Sequence, residues 1–101
     1  MSAVAADPNQ MTPAQQRRMR ILAVISAEAD DYPVDKLLPT HSLRRELNLG
    51  QMQRIALAYS LEREFALVIP DPCYDAITAP HATVLDVLSH VGHLADHKEG
   101  T

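Results

Sequence analysis

The chain has 101 residues, a formal net charge of −4 and a hydrophobic content of 47%. This length fits one domain with a modest core and excludes a core combined with a deep enzyme cleft. The mild acidity and the apolar content argue against general disorder and against the charge balance typical of a nucleic-acid-binding protein. Three Tyr, one Phe and no Trp predict an aliphatic core.

The single cysteine, Cys73, excludes an intramolecular disulfide and a zinc site of the multi-cysteine type. The N-terminal residues show no basic region followed by an apolar core, and no apolar run approaches the roughly 20 residues that span a bilayer. We therefore expect a soluble cytoplasmic protein.

The first helix is predicted to begin at Thr12 and Pro13. Thr can cap a helix, and the missing N–H of Pro is harmless at the first helical position. Residues 1–11 show no sustained period, and we expect a mobile tail there. The helix should end near Asp30 to Pro33. Its apolar positions are Met19, Ile21, Leu22, Val24, Ile25 and Ala29.

A long connection runs from Asp31 to Leu47. Regular aliphatic residues interrupt its polar ones, which predicts a loop pinned to the core rather than a free one. These aliphatic residues are Val34, Leu37, Leu38, Leu43 and Leu47.

The second helix is predicted from Gln51 to Phe65, where apolar residues recur at offsets of three and four. The expected stripe comprises Met52, Ile55, Ala58, Tyr59, Leu61, Glu62 and Phe65. Asn48 is expected as the N-cap, with Gln51 reaching back from the third helical position. Two prolines in residues 66–72 end the helix.

A short third helix is predicted from Asp71 to Ile77, with Asp71 as its cap and Pro72 at the first helical position. Thr83 is expected to cap the last helix, with Asp86 at the third position. The apolar face of the last helix contains Val84, Leu85, Val87, Leu88, Val91 and Leu94. The folded region should cover residues 12–96, and residues 97–101 should fray.

These elements predict an all-α four-helix bundle with three main helices, one short helix and a long first loop. Within that order, the segments Leu61-Glu62-Arg63-Glu64-Phe65 and Val68-Ile69-Pro70-Asp71 resemble the end of the second helix and the following loop of acyl carrier proteins. The resemblance covers roughly residues 11–94. It implies a carrier-like bundle in which Leu43 fills the core position that the family usually gives to Phe.

The resemblance also places the family's attachment motif on this chain. Counting back from Phe65 without gaps puts Gly50, Gln51 and Met52 on the family's Asp-Ser-Leu, whose serine carries 4′-phosphopantetheine. A Gln amide has no nucleophilic oxygen suited to that phosphodiester. We therefore expect no arm. We also expect no other cofactor and no metal. Ser42 lies too far from Phe65 for the family spacing, so we interpret it as a loop serine.

Charge around the second helix also departs from the family, which presents acidic residues there to its partner enzymes. The local potential should be positive or neutral in this chain. We expect a partner-binding surface made of Arg44, Arg45, Gly50, Gln51, Met52 and Arg54. The alternative is a solvated face with no partner. The overall acidity and the lack of interleaved aromatic residues argue against DNA or RNA as a partner.

Two further patterns involve residue types that can carry chemistry. His90, His93 and His97 fall on one side of the last helix, but no carboxylate or cysteine pattern completes a metal site, so exposed histidines are expected. Cys73 stands near a helix N-terminus, which can lower the pKa of a thiol. It has no His and Asn at the spacing of a cysteine hydrolase, and we expect a partly buried, small apolar residue and no enzyme.

The leading hypothesis is an acyl-carrier-like module of fatty acid, lipid or polyketide metabolism that lacks the arm and acts as a monomer by binding proteins. The alternative is a working carrier of unusual type, modified elsewhere or holding acyl chains non-covalently. A third hypothesis, an enzyme, rests only on Cys73 and the histidines.

Overall fold

The computed structural model describes residues 11–99, without the side chain of Glu99. Its helices are α1 (Pro13–Glu28), α2 (Gln51–Phe65), α3 (Asp71–Thr78) and α4 (Val84–Glu99), with a 3₁₀ turn at Val34–Lys36. The predicted all-α architecture of three main helices and one short helix is confirmed, and residues 11–99 contain no strand. None of these helices is both long enough and apolar enough to cross a membrane. The expected N-terminal tail, except Met11, lies outside the described residues.

Thr12 and Thr83 cap the first and last helices, as predicted, and both caps are reciprocal. Thr12 Oγ1 accepts a hydrogen bond from the Gln15 N–H at 3.1 Å, and Gln15 Oε1 accepts one from the Thr12 N–H at 2.8 Å. The Asp86 carboxylate accepts from the Thr83 N–H at 2.9 Å, and Thr83 Oγ1 accepts from the Asp86 N–H at 3.3 Å. Each cap satisfies donors that the first helical turn leaves unpaired.

Two other helix ends differ from expectation. Pro70 precedes α3 as its N-cap, and Asp71 is the first helical residue, so the predicted placement of Asp71 as the cap and Pro72 at the first position is wrong by one residue. The helix α4 was expected to fray after residue 96 but continues to Glu99. Lys98 Nζ donates to the carbonyl oxygens of Phe65, at 3.2 Å, and Ala66.

The helix α1 packs against both α2 and α4, and α3 packs against α2 and α4. Near its start, α1 places Arg17 3.1 Å from Asp96 at the end of α4. One turn later, Arg20 lies 3.0 Å from Glu64 at the end of α2. Since the start of α1 meets the ends of both neighbours, α2 and α4 run antiparallel to α1.

The core is aliphatic, as expected, but the buried stripe of α2 differs from the predicted one. Met52 and Tyr59 are 77% and 54% exposed, whereas Leu57, which was not assigned to the stripe, is fully buried. The buried residues of α2 are Arg54, Leu57, Ala58, Leu61 and Phe65. These buried residues keep offsets of three and four, so the predicted helical period is right. The buried face of α2 is displaced from the predicted one.

The α1–α2 loop is pinned to the core, as predicted. Leu43 is fully buried, and its N–H donates to the Ala82 carbonyl at 3.0 Å. The Val84 N–H returns a bond of 3.0 Å to the carbonyl of His41. Leu38 is the exception among the expected aliphatic anchors, because it is 52% exposed. The loop is therefore paired with the segment that leads into α4.

Candidate functional site

The start of α2 is the segment on which the expected function depends. Gly50 is the N-cap and Gln51 is the first helical residue, with an exposed side chain. Gln53, at the third helical position, accepts the Gly50 N–H at 2.8 Å through Oε1. The predicted cap of Asn48 and Gln51 is therefore wrong. Asn48 instead has a φ of 58°, a left-handed conformation that Asn tolerates better than most residues.

This geometry leaves the Gln51 side chain outside the capping interactions. Among the described residues it has no hydrogen-bond partner, and Met52 beside it is 77% exposed. The first turn of α2 reads Gln-Met-Gln-Arg and contains no serine. An exposed amide and an exposed thioether thus occupy the leading edge of the helix.

The expectation that Arg54 belongs to an exposed surface is wrong, because its side chain is only 4% exposed. Nη1 donates to the Leu49 carbonyl at 2.8 Å, and Nε donates to the Thr78 carbonyl at 3.0 Å. Thr78 is the last residue of α3, where carbonyl groups lack helical donors. Arg54 therefore joins the chain before α2 to the end of α3.

Arg44 and Arg45 are exposed, in a turn that precedes α2. Ser42 begins this turn, and its hydroxyl oxygen accepts the Arg45 N–H at 3.0 Å. Glu46 Oε1 accepts the Ser42 N–H at 2.6 Å, which makes a reciprocal cap outside any α-helix. Ser42 is thus a turn-capping serine in the loop.

A groove of about 610 Å³ runs along the outer face of α2 and the segment that follows it. Its apolar side chains include Tyr59, Leu67 and Val68, of which Val68 is 81% exposed. The ring of Tyr59 lies 6.3 Å from that of Tyr74 on α3. Partial desolvation and the neighbouring Tyr59 hydroxyl raise the pKa of Tyr74 above its ordinary value.

Cys73 and His90 form a contact that the sequence analysis missed. His90 Nδ1 lies 3.3 Å from Cys73 Sγ, in a partly buried position between α3 and α4. The two residues are 17 positions apart, so only the packing of the two helices brings them together. His93 and His97 are exposed, and residues 11–99 contain no group of three or more His, Cys, Asp or Glu arranged to hold a metal ion.

Comparison with family models, curated proteins and solved structures finds no match to this chain. Its function must therefore be inferred from its own residues and their arrangement. The main features of its surface are the serine-free start of α2, the exposed Arg44 and Arg45, and the apolar groove beside Tyr59.

Proposed function

We propose that this chain is an acyl-carrier-like helical module, monomeric and cytoplasmic, that acts by binding other proteins and bears no phosphopantetheine arm. The pathways to which the resemblance points are fatty acid, lipid and polyketide metabolism. Support for the carrier-like part comes from the helix order, the long pinned α1–α2 loop and the buried Leu43.

The observation that carries the proposal is Gln51 at the first position of α2. In the resemblance this position belongs to the serine that accepts the arm. An amide cannot form the phosphodiester. Two serines at other positions have structural roles. Ser42 caps a turn through its hydroxyl oxygen, and Ser26 donates its hydroxyl to the Tyr32 carbonyl at 2.6 Å. A module with no arm retains a surface for partners and loses the means to carry a thioester.

The test is to incubate the protein with coenzyme A and a broad-specificity phosphopantetheinyl transferase and to measure its intact mass. We expect no change, whereas a gain of about 340 Da, the mass of the arm, contradicts the proposal. Peptide mapping of any modified protein then identifies the acceptor residue.

The double variant Gly50→Asp/Gln51→Ser is the matched positive control. It restores the Asp-Ser pair of the family motif at the expected register. Gly50 has extended backbone angles, φ −72° and ψ −179°, and an added Cβ meets only Gln53 Oε1, at 3.4 Å. Asp is also a favourable N-cap, so we expect the variant to fold and to gain the arm. A folded variant that remains unmodified contradicts the carrier-like register.

The groove beside Tyr59 favours a second candidate, non-covalent binding of an acyl chain. Tyr59 and Val68 are exposed, Leu67 is partly buried, and the groove volume of about 610 Å³ is in the range of small-molecule sites. Native mass spectrometry after mixing with a fatty acid tests this candidate. A one-to-one adduct that Val68→Glu abolishes supports acyl-chain binding, and the absence of an adduct contradicts it.

A further inference from the structure

A second groove, of about 440 Å³, lies where the turn before α2 meets the α3–α4 connection. Five residues line it: Ser42, Arg44, Arg45, Pro80 and His81. Both arginines and His81 are exposed. Guanidinium, imidazole and hydroxyl groups therefore line this groove together with Pro80, and we call it the arginine groove.

The two arginines of the groove differ from Arg20 and Arg54, whose guanidinium groups have partners within the bundle. Arg20 pairs with Glu64, and Arg54 donates to two backbone carbonyls. By contrast, neither the Arg44 nor the Arg45 guanidinium group has a hydrogen bond or an ion pair with another described residue. Their donors therefore remain available to a ligand.

The backbone at the groove is held in place, so the charged groups project from a fixed base. Ser42 forms an antiparallel bridge with Thr83, and its hydroxyl oxygen accepts the Arg45 N–H. That bond uses an oxygen lone pair and leaves the hydroxyl hydrogen for another acceptor. Glu46, the nearest acid in the sequence, is already bound to the Ser42 N–H at 2.6 Å.

Charge complementarity identifies the class of ligand. Guanidinium groups bind carboxylates through paired N–H donors, and the whole chain is acidic at −4, so this basic groove is a local exception. The acidity of the rest of the chain disfavours a long polyanion such as nucleic acid, and among residues 11–99 no aromatic side chain other than the imidazole of His81 lines the groove for base stacking. A short acidic segment matches the groove in charge and in size.

We propose that the arginine groove binds a carboxylate-rich peptide segment of a partner protein. This inference rests on the proposed protein-binding function and specifies the chemistry of its partner. The main contacts are Arg44 and Arg45 to side-chain carboxylates, with the Ser42 hydroxyl and an imidazole N–H of His81 as additional donors.

The experiment measures fluorescence anisotropy of a short labelled peptide rich in Glu and Asp, titrated with the full chain. A peptide of the same length with Gln and Asn in their places is the neutral control. The variant Arg44→Gln/Arg45→Gln removes both guanidinium groups. Its matched control, Arg18→Gln/Arg63→Gln, removes the same charge at two exposed arginines outside the groove. Circular dichroism confirms that both variants are folded.

We expect the groove variant to bind the acidic peptide roughly tenfold more weakly and the control variant to bind like the original protein, since two exposed ion pairs are lost only in the first. Binding should weaken between about 0.02 M and 0.2 M salt. Equal weakening in both variants, equal binding of the neutral peptide, or no binding of the acidic peptide overturns the proposal. Preference for a phosphoserine peptide over the acidic one also overturns it, in favour of a phosphate ligand.

The outcome is separable from that of the arm experiment. If the protein does not bind the peptide, the result of the mass measurement is unaffected. If the protein gains an arm at any residue, the peptide titration of the unmodified protein can still be interpreted. The two measurements therefore reject the two proposals independently.

Discussion

Arg54 occupies an inward-facing position of α2 and is buried. Arginine is rarely buried unless it has partners. Its acceptors are two backbone carbonyls rather than a carboxylate, and one of them ends α3. A cation near the C-terminus of a helix is favoured by the helix dipole, which partly offsets the cost of removing the guanidinium from water. The side chain therefore links two elements, and its charge is not available to a partner.

We predict that Arg54→Lys lowers the free energy of unfolding by about 1 to 2 kcal/mol. All the donors of a lysine ammonium are on one nitrogen, which cannot reproduce the two separate bonds made by Nη1 and Nε. One buried carbonyl therefore loses its partner. Urea denaturation followed by circular dichroism measures the change. Arg45→Lys, at an exposed position, should leave the midpoint nearly unchanged. Equal midpoints for the two variants contradict this role for Arg54.

Tyr74 gives a prediction of pH dependence. Partial desolvation first, and then the nearby Tyr59, raise its pKa above the ordinary value of about 10. The folded state therefore favours the neutral phenol. The associated stability is fully present below about pH 10 and is lost as the pH rises through the folded-state pKa. Denaturation at about pH 8 and about pH 11 should show a larger loss for the original protein than for Tyr74→Phe. Identical losses contradict the prediction.

At the scale of elements, α2 is bounded by two residues in the left-handed conformation. Asn48 precedes it with a φ of 58°, and Ala66 ends it with a φ of 51°. Asn accepts this conformation readily, whereas Ala has a Cβ that crowds the following carbonyl. The Ala66 N–H still closes the helix by donating to the Arg63 and Glu62 carbonyls, and the Ala66 carbonyl accepts from Lys98 Nζ, so hydrogen bonds hold a locally unfavourable residue in place.

We predict that Ala66→Gly stabilises the protein by about 0.5 kcal/mol, because relief of left-handed strain exceeds the added flexibility of the unfolded chain. The control is Ala56→Gly, on the exposed face of the same helix, which should destabilise by about 1 kcal/mol. Thermal melts of the two variants measure both effects. Destabilisation by Gly at both positions contradicts the assignment of Ala66 as a strained helix end.

The elements also show which features could be predicted from the sequence. The caps at Thr12 and Thr83 were predictable, since a cap depends on residues three positions apart. The buried face of α2 was not, because apolar residues occur on two of its sides and only packing against α1 and α3 selects one. Asn48 was wrongly predicted as the N-cap, because Asn is common both at caps and in left-handed turns and the sequence does not distinguish the two. The Cys73–His90 contact leaves no local signal at all.

For the whole molecule, the α1–α2 loop is as important as the helices. Its backbone pairs with residues 82–85 at the start of α4, and the core side chains that it contributes are Leu37, Leu43, Leu47 and Leu49. The same pairing brings Ser42 close to the α3–α4 connection and so forms the arginine groove. Arg44 and Arg45 are recognisable as surface candidates from the sequence, whereas His81 joins them only through this long-range contact and was not predictable.

If the loop is part of the folding unit, removing its central anchor should destabilise the entire bundle. We predict that Leu43→Ala lowers the free energy of unfolding by about 3 kcal/mol, because it empties a fully buried site at the loop–helix junction. Leu38→Ala is the matched control, with the same chemical change in the same loop at a side chain that is 52% exposed, and its effect should stay within about 0.5 kcal/mol.

Chemical denaturation followed by circular dichroism reports helix loss, and tyrosine fluorescence reports the surroundings of Tyr32 in the loop and of Tyr59 and Tyr74 in the helices. The two probes should give one coincident transition, displaced to lower denaturant in Leu43→Ala. A loop that unfolds separately, with the helical transition unchanged, shows that the bundle is complete without it. In that case the arginine groove, which needs the loop in place, cannot be a fixed feature of the molecule.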